Sequence, residues 1–208
     1  MVNYKISYFP LRGYAEPARI ILYGAGVEFE DDRIPRDQWG PEQKAKTPFG
    51  QIPVLTEDGK QLAQSGAITR YLARKFGFGG RDEWETAQID ALAEQWRDFI
   101  VQVRPWFVVK GGFVEGGDLD KLWKDHAVPA RELFFKILEK QLSSNGSGWL
   151  VGDQLSYVDI IVAEHLYTFK GLDADWTKGH DALDALLNKV HNHPKLKGWY
   201  DKREHTVF

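Results

Sequence analysis

The feature that most constrains the fold of this chain is a change of pattern at residues 76–82. Before it, short alternating runs typical of strands take turns with helical patterns, and after it no convincing strand follows. The glycine-rich segment Phe76–Asp82, FGFGGRD, separates the two parts. A chain of 208 residues is long enough for two domains with their own cores. We therefore predict an α/β domain over residues 1–78 and an all-α domain over residues 79–208.

The first part has the predicted order β-α-β-α-β-β-α. Alternation at period 2 indicates strands, and apolar spacing of three to four residues indicates helices. Asp58-Gly59 is typical of a tight hairpin turn. Strands that alternate with helices favour a mostly parallel sheet. The predicted elements cover residues 4–8, 15–23, 27–34, 38–46, 52–56, 61–62 and 66–75.

The second part consists of helical patterns alone. Ser156 and Asp159 form a capping-box pattern, in which the serine caps backbone amides and the carboxylate reaches back. A helix is therefore predicted to begin just after Ser156. The other predicted helices cover residues 82–109, 119–142, 181–191 and 194–202.

Composition excludes several classes of function. A net charge of −3 argues against nucleic acid as a partner, and no apolar run approaches the ~20 residues of a membrane span. The amino terminus lacks the apolar stretch of a signal peptide, so we expect a cytoplasmic protein without a membrane partner. With zero cysteines there is no disulfide, thiolate zinc site or Cys-x-x-Cys redox motif. Any sulfur chemistry must use a thiol that a substrate supplies.

The stretch Tyr8–Arg19, YFPLRGYAEPAR, indicates a ligand site. A strand ends at Tyr8-Phe9, the chain turns through Arg12-Gly13, and a helix follows at once. Glycine permits a tight turn there. We expect such a site where the carboxyl end of a strand faces a helix amino terminus.

Three further motifs each have an ordinary and a functional interpretation. Pro53 is a turn proline or a cis proline that turns the backbone of Ile52 toward an extended ligand. Gln64-Ser65 is a helix cap or an anion site for a carboxylate. Trp39 and Lys44 are surface residues or loop ligands. Taken one at a time, these motifs favour the ordinary interpretation.

Together, the motifs resemble those of the cytosolic glutathione S-transferases, especially the sigma class and its roundworm relatives. The resemblance covers essentially the whole chain. It rests on the joint order and spacing of Tyr8-Phe9-x-x-Arg12-Gly13-x-Ala15-Glu16, Trp39, Lys44, Pro48-Phe49-Gly50-Gln51-Ile52-Pro53, Gln64-Ser65 and Ser156-x-x-Asp159. It implies a thioredoxin-like domain that binds glutathione and a helical domain that completes a hydrophobic cosubstrate pocket.

The resemblance also implies roles for single residues. Tyr8 and Arg12 would be catalytic, and Gln64 and Ser65 would bind the glutamyl carboxylate. Ile52, before a cis Pro53, would pair with the cysteinyl backbone. Trp39, Lys44 and Gln51 would bind the glycyl end of glutathione, and Gly50 would also belong to the glutathione-binding site. Asp98 of the partner subunit would bind the glutamyl amine, which makes a homodimer the expected assembly, and no metal is expected.

Tyr8 would act on the glutathione sulfur. A free thiol with a pKa near 8.5 is only about 3% thiolate at pH 7. A hydroxyl that donates a hydrogen bond to the sulfur favours the anion, and lowering the thiol pKa by ~2 units corresponds to ~2.7 kcal/mol. Arg12 would add positive potential. The electrophile pocket is less clear, and its candidate residues are Phe9, Leu11, Tyr14, Trp106, Val207 and Phe208.

Two other functions remain open. Sigma-class relatives include enzymes that isomerise prostaglandin H to prostaglandin D, but those carry a second arginine where this chain has Tyr14. They also cluster carboxylates for a divalent metal, whereas here Arg97 stands beside Asp98. Other relatives are lens crystallins or store haem-type ligands without catalysis. A chain that keeps the glutathione-binding residues favours an active enzyme over a crystallin, while ligand storage is compatible with catalysis.

Overall fold

The computed structural model of the protein describes residues 2–208, and Met1, the first residue of the predicted amino-terminal domain, lies outside them. The chain divides into two compact units. The first comprises the residues up to Gly79 together with Val190–Phe208, and the second is Gly80–Lys189. The boundary between residues 78 and 79 stays a prediction.

A four-stranded mixed sheet forms the centre of the first unit. Its strands are β1 (Tyr4–Tyr8), β2 (Phe29–Arg33), β3 (Val54–Glu57) and β4 (Lys60–Ala63), in the order β2-β1-β3-β4. Strands β1 and β2 are parallel, whereas β3 is antiparallel to both β1 and β4. The prediction of a mostly parallel sheet is therefore wrong. The chain leaves the sheet at the carboxyl end of β2 and enters β3 at that same end of the sheet, so β3 runs in the opposite direction. Side-chain alternation is the same for both directions, so the sequence pattern carries no information about strand direction.

Helices cover this sheet and shape its loops. The longest are α1 (Glu16–Gly24) and α3 (Ser65–Phe76), which contact each other, and α9 (Lys197–Lys202) contacts α1. Ile20, Ile21 and Leu22 of α1 are fully buried. The other elements are α2 (Pro41–Ala45) and short 3-10 turns at Gly13–Ala15 and Arg36–Gln38.

The second unit is helical throughout, and Gly80–Lys189 contains no strand. The predicted helix over residues 119–142 exists, but a π-helical segment, Trp123–Ala127, interrupts it. None of the helices in residues 2–208 is apolar over a length that would span a membrane. The elements are α4 (Glu83–Lys110), α5 (Leu119–Leu122), α6 (Val128–Asn145), α7 (Tyr157–Leu172) and α8 (Asp181–His191), the last of which extends past Lys189.

The predicted capping box is confirmed at the start of α7. The buried Asp159 carboxylate accepts hydrogen bonds from the Ser156 amide at 2.9 Å, the Ser156 hydroxyl at 2.7 Å and the Leu150 amide at 2.9 Å. Burial raises the pKa of Asp159 to about 6, while these hydrogen bonds lower it. The carboxylate thus joins the helix start to the preceding loop.

An aromatic cluster forms the core of this unit, with His165 inside it. The His165 ring lies 4.4 Å from Phe169 and 4.7 Å from Phe99, measured between ring centroids. Neither ring nitrogen has a hydrogen-bond partner among the described residues. Burial lowers the pKa of His165 to about 3 from an ordinary value of 6.5. The imidazole is therefore neutral in the folded protein.

This histidine makes stability dependent on pH. The folded-state pKa lies below the unfolded value, so between pH 6.5 and about 3 the unfolded chain binds a proton that the folded chain does not. Stability is then lost as the pH falls through 6.5. We expect the free energy of unfolding to drop by about 2 kcal/mol more between pH 7 and pH 5 in the wild type than in His165→Leu.

Urea unfolding followed by tryptophan fluorescence would measure this difference. The contribution of Asp159 is common to both proteins and cancels in the comparison. Equal pH slopes in the two proteins would contradict the assignment of this proton to His165.

Candidate active site

The register of the sheet brings three distant segments to one edge. Ser7 pairs with Val54 across β1 and β3, and Val54 pairs with Ala63 across β3 and β4. Because β1 runs opposite to β3 and β3 opposite to β4, the residues just beyond these pairs share that edge. Tyr8, Pro53 and Gln64 are those residues.

Tyr8 is only 7% exposed, and its hydroxyl lies beneath the turn that follows it. The oxygen accepts a hydrogen bond from the backbone N–H of Tyr14. A Cβ on Gly13 would be 3.0 Å from the Tyr8 hydroxyl, so only glycine allows this approach. Burial raises the pKa of Tyr8, against the opposing effects of the Tyr14 hydrogen bond and the charges of Arg19 and Arg36. The hydroxyl therefore keeps its proton at neutral pH and is a donor, not a base.

Gln64 and Ser65 form the start of α3. Gln64 has φ 73° and ψ 112°, a backbone conformation that is rare for residues other than glycine. Strain of this kind persists where the surrounding structure fixes it, often at ligand sites. The Gln64 side-chain amide donates to the Gln51 side-chain oxygen at 3.3 Å. The structure thus brings Gln51 and Gln64 together beside the amino terminus of α3, where the first backbone amides of a helix have no partner within the helix.

The Ile52-Pro53 peptide bond is cis, as the resemblance implied. Pro53 is buried, Ile52 is half-buried, and Gln51 is exposed. The cis proline therefore sits at the same sheet edge as Tyr8 and Gln64, with Ile52 half-buried before it and Gln51 exposed.

The loop between β2 and β3 carries the predicted residues for the glycyl end of glutathione. The Trp39 ring packs edge-on against Phe9, with centroids 6.1 Å apart, so it lies one ring away from Tyr8. Lys44 is exposed, and its Cβ is 3.9 Å from the position that a Cβ on Gly50 would take. Trp39 and Phe9 are thus neighbours, as are Lys44 and Gly50.

Arg12 is buried, at 3% exposure, and binds main-chain oxygens. Its guanidinium donates to the carbonyl of Val207 at 3.0 Å and to that of Thr206 at 3.3 Å. The Arg12 amide donates to the Phe208 oxygen at 2.7 Å. The structure therefore places Phe208 and Val207, two candidate pocket residues, next to Arg12, while the Tyr14 side chain is 44% exposed.

Two predicted residues lie on α4 of the second unit. Asp98 is exposed, as a residue that reaches another subunit must be. Trp106 is 2% exposed and stacks on Trp176 at 5.6 Å, so it belongs to the aromatic core of that unit. The roles given to Asp98 and Trp106 stay predictions. In residues 2–208, no group of three or more His, Asp or Glu side chains is arranged to hold a metal ion.

Three charged residues around the turn after Tyr8 received no role from the sequence, although Glu16 and Arg19 stand in the motif that follows Tyr8. Arg36 lies over the Phe9 ring, with its guanidinium carbon 5.3 Å from the centroid. Glu16 and Arg19 are fully buried and paired at 3.3 Å. The sequence could have indicated that Glu16 and Arg19 are buried, since they are the charged residues of an otherwise apolar helix, α1.

The fold and this site together define a class: a thioredoxin-like domain with a ligand site at its sheet edge, followed by an all-helical region. Residues 4–74 match the family of glutathione S-transferase N-terminal domains, and residues 119–203 match a family of the C-terminal domains. The predicted fold class is confirmed by solved structures of that family.

Individual relatives agree along the whole chain. Probable glutathione S-transferase 7 of Caenorhabditis elegans is 48% identical, with 100% of both chains covered. The structure of a Nu-class glutathione S-transferase from Haemonchus contortus is 46% identical with a TM-score of 0.92, again over 100% of both chains. That of monomeric Na-GST-3 from the hookworm Necator americanus is 44% identical with a TM-score of 0.94, covering 99% of this chain and 100% of that one. The chain belongs to the glutathione S-transferase family of enzymes, whose cosubstrate is glutathione.

The contact between Gly13 and Tyr8 leads to a testable expectation. In Gly13→Ala the new Cβ would be 2.6 Å from the Leu11 side chain and 3.0 Å from the Tyr8 hydroxyl, at a φ of +42°. We expect a loss of about 1–2 kcal/mol in stability and a roughly tenfold or larger loss of glutathione-conjugating activity, because the hydroxyl is displaced.

Gly26→Ala is the matched control. Gly26 also has a positive φ, of +69°, but a Cβ there meets nothing within 4 Å. It should share the backbone cost and keep full activity. If the two variants lost activity equally, the effect would not come from the Tyr8 contact.

Proposed function

We propose that this enzyme conjugates glutathione to hydrophobic electrophiles and that Tyr8 activates the thiol. The observation that carries the proposal is the burial of Tyr8 at the sheet edge, where its hydroxyl accepts the Tyr14 N–H and burial raises its pKa. Because the hydroxyl already accepts the Tyr14 N–H, its own proton is directed to a second partner. A thiolate sulfur is the acceptor that this donor would stabilise.

The chemical step is a nucleophilic substitution. The thiol of glutathione loses its proton to solvent, and the thiolate attacks an electrophilic carbon. A carbon–sulfur bond forms, and the leaving group departs with its electron pair. Tyr8 stays protonated throughout, since its role is to donate a hydrogen bond to the sulfur.

Glutathione would lie along the edge that the register creates. We assign its glutamyl carboxylate to Ser65, Gln64 and the amino terminus of α3, where amides and the helix dipole favour an anion. The main chain of Ile52 would pair with the cysteinyl residue. The glycyl carboxylate would meet Lys44, with Trp39, Gly50 and Gln51 around it. The strained backbone of Gln64 and its bond to Gln51 support this assignment.

Tyr8→Phe tests the thiol activation. With the hydroxyl removed, we expect the thiol pKa of bound glutathione to rise by about 2 units. At pH 6.5 the thiolate fraction, and with it the reaction rate, should then fall about 50-fold. The rate of chlorodinitrobenzene conjugation across pH 5.5–9 and the ultraviolet absorbance of bound thiolate would report it.

Tyr4→Phe is a suitable control on the same strand. Tyr4 is also a buried residue of the first unit, but its hydroxyl donates to the Glu57 carboxylate at 3.4 Å. This variant should keep the wild-type pH profile. A Tyr8→Phe enzyme with an unchanged thiolate pKa would disprove the proposed role.

We also propose a homodimer in which Asp98 of the partner subunit binds the glutamyl amine. The exposure of Asp98 on α4 supports this. The hookworm relative described as monomeric makes the assembly worth testing directly. We likewise propose membership of the sigma class. A relative from Haemonchus contortus is described as Nu-class, so the comparisons leave the class to this proposal. A cytoplasmic location stays a prediction.

Subunit complementation tests the shared site. Tyr8→Phe and Asp98→Asn chains should each be impaired at low glutathione concentration. In a 1:1 co-expressed mixture, random pairing leaves about a quarter of the sites with both residues intact. Activity should therefore rise well above the mean of the two single variants. Activity equal to that mean would exclude a site that two subunits share.

Prostaglandin H to D isomerisation ranks second, because Tyr14 occupies the position of the second arginine of those enzymes. Storage of haem-type ligands without catalysis ranks below it, since the site keeps the donor that thiol activation needs. A protein that binds glutathione but shows no bound thiolate would favour the storage function.

A further inference from the structure

The segment Thr206–Phe208 is attached to Arg12 by three main-chain oxygens. The carbonyls of Thr206 and Val207 accept from the Arg12 guanidinium, and the Phe208 oxygen accepts from the Arg12 amide. The Thr206 hydroxyl donates to the same Phe208 oxygen. A cation that binds several carbonyls makes charge-assisted hydrogen bonds, which are the strong kind. The segment therefore binds one side of the turn that follows Tyr8.

A second set of hydrogen bonds joins helix α9, which precedes this segment in the chain, to the start of α1. The buried Glu16 carboxylate accepts from Arg203 at 3.0 Å and from the Trp199 indole N–H at 2.8 Å. Both donors lie at or just after α9, and Arg203 is itself buried. Arg203, three residues before the segment that contacts Arg12, is thus held in place by Glu16.

The opposite side of the turn is bound by Arg19. Its guanidinium donates to the carbonyl of Leu11 at 2.9 Å and to that of Arg12 at 3.3 Å. Arg12 is therefore held through its carbonyl by Arg19 of α1, and through its amide and side chain by residues 206–208. Gly13, where an added Cβ would lie 3.0 Å from the Tyr8 hydroxyl, and Tyr14, whose amide donates to that hydroxyl, follow directly in the chain.

We propose that Thr206–Phe208 is a positioning segment for the Tyr8 hydroxyl. By binding Arg12, it fixes the turn so that the Tyr14 amide bonds the Tyr8 oxygen and Gly13 lies against the ring. Arg12 acts through this connection as a positioning residue. The consequence for catalysis rests on the proposed activation of glutathione by Tyr8.

This role differs from that of a pocket wall. If Phe208 only lined the electrophile pocket, its side chain would matter and its main chain would not. Three contacts to Arg12 use main-chain oxygens of this segment. Phe208→Ala keeps all three oxygens, whereas deletion of Thr206–Phe208 removes them, so the two variants separate the roles.

The experiment compares the wild type, the deletion and Phe208→Ala in two measurements. The first is hydrogen exchange of the Tyr14 amide, which does not depend on glutathione. We expect exchange to become at least tenfold faster in the deletion and to be unchanged in Phe208→Ala. The second is the pKa of bound glutathione from thiolate absorbance. We expect a rise of about one unit in the deletion alone.

The outcomes are distinct. Unchanged Tyr14 exchange in a folded deletion variant overturns the positioning role, whatever the state of the thiol. In a second outcome, exchange is faster in the deletion, but the thiol pKa of bound glutathione is near 8.5 in the wild type and the deletion alike. This outcome supports the positioning role and refutes the proposed function of Tyr8. An equal rise of the thiol pKa in Phe208→Ala and the deletion would show a side-chain effect and overturn the proposal.

The variant Arg12→Met leaves Thr206–Phe208 in place and covers the case of a deletion that folds poorly, because the loss of the guanidinium should by itself speed exchange of the Tyr14 amide. Combined with the deletion, it forms a double-mutant cycle. In an Arg12→Met background the segment has lost the guanidinium that binds two of its carbonyls. If the segment acts through Arg12, the deletion should change Tyr14 exchange much less there than in the wild type. Additive effects of the two changes would overturn the proposed connection, and thermal unfolding of each variant would monitor folding.

Discussion

The buried guanidinium of Arg19 is the interaction on which the catalytic end of the first unit depends. It has no exposed surface, pairs with Asp31 at 2.8 Å and with Glu16 at 3.3 Å, and donates to the carbonyls of Leu11 and Arg12. Such a charge is tolerated only when partners surround it, and removing one partner is strongly destabilising. One side chain thus joins β2, α1 and the turn after β1, and through Glu16 it also joins the region around α9.

The sheet register adds a second constraint. Tyr8, Pro53 and Gln64 are far apart in sequence, yet the pairs Ser7–Val54 and Val54–Ala63 place them at one edge. A slip of one residue would turn Tyr8 away from the buried face. The position of the hydroxyl therefore depends on long-range strand pairing together with the local turn at Gly13.

Much of this was readable in the sequence. The helical half, the capping box at Ser156 and the hairpin at Asp58-Gly59 follow from local patterns, because caps and turns are built from neighbouring residues. The direction of β3 was mispredicted, since alternation of side chains is the same in both directions. Arg36 was missed because an exposed arginine in a loop has no sequence signal that it lies over Phe9.

By itself, the sequence determined the division into an α/β part and a helical part, and it supplied a tyrosine, a glycine turn and a helix start in a recognisable order. The reason is that periodicity, caps and turns act over a few residues. Only the tertiary structure decided that Arg12 is bound by Thr206 and Val207, and that Glu16 meets Trp199 and Arg203. Those contacts join residues far apart in the chain, and hydrogen bonds between distant segments exist only after the core has brought them together.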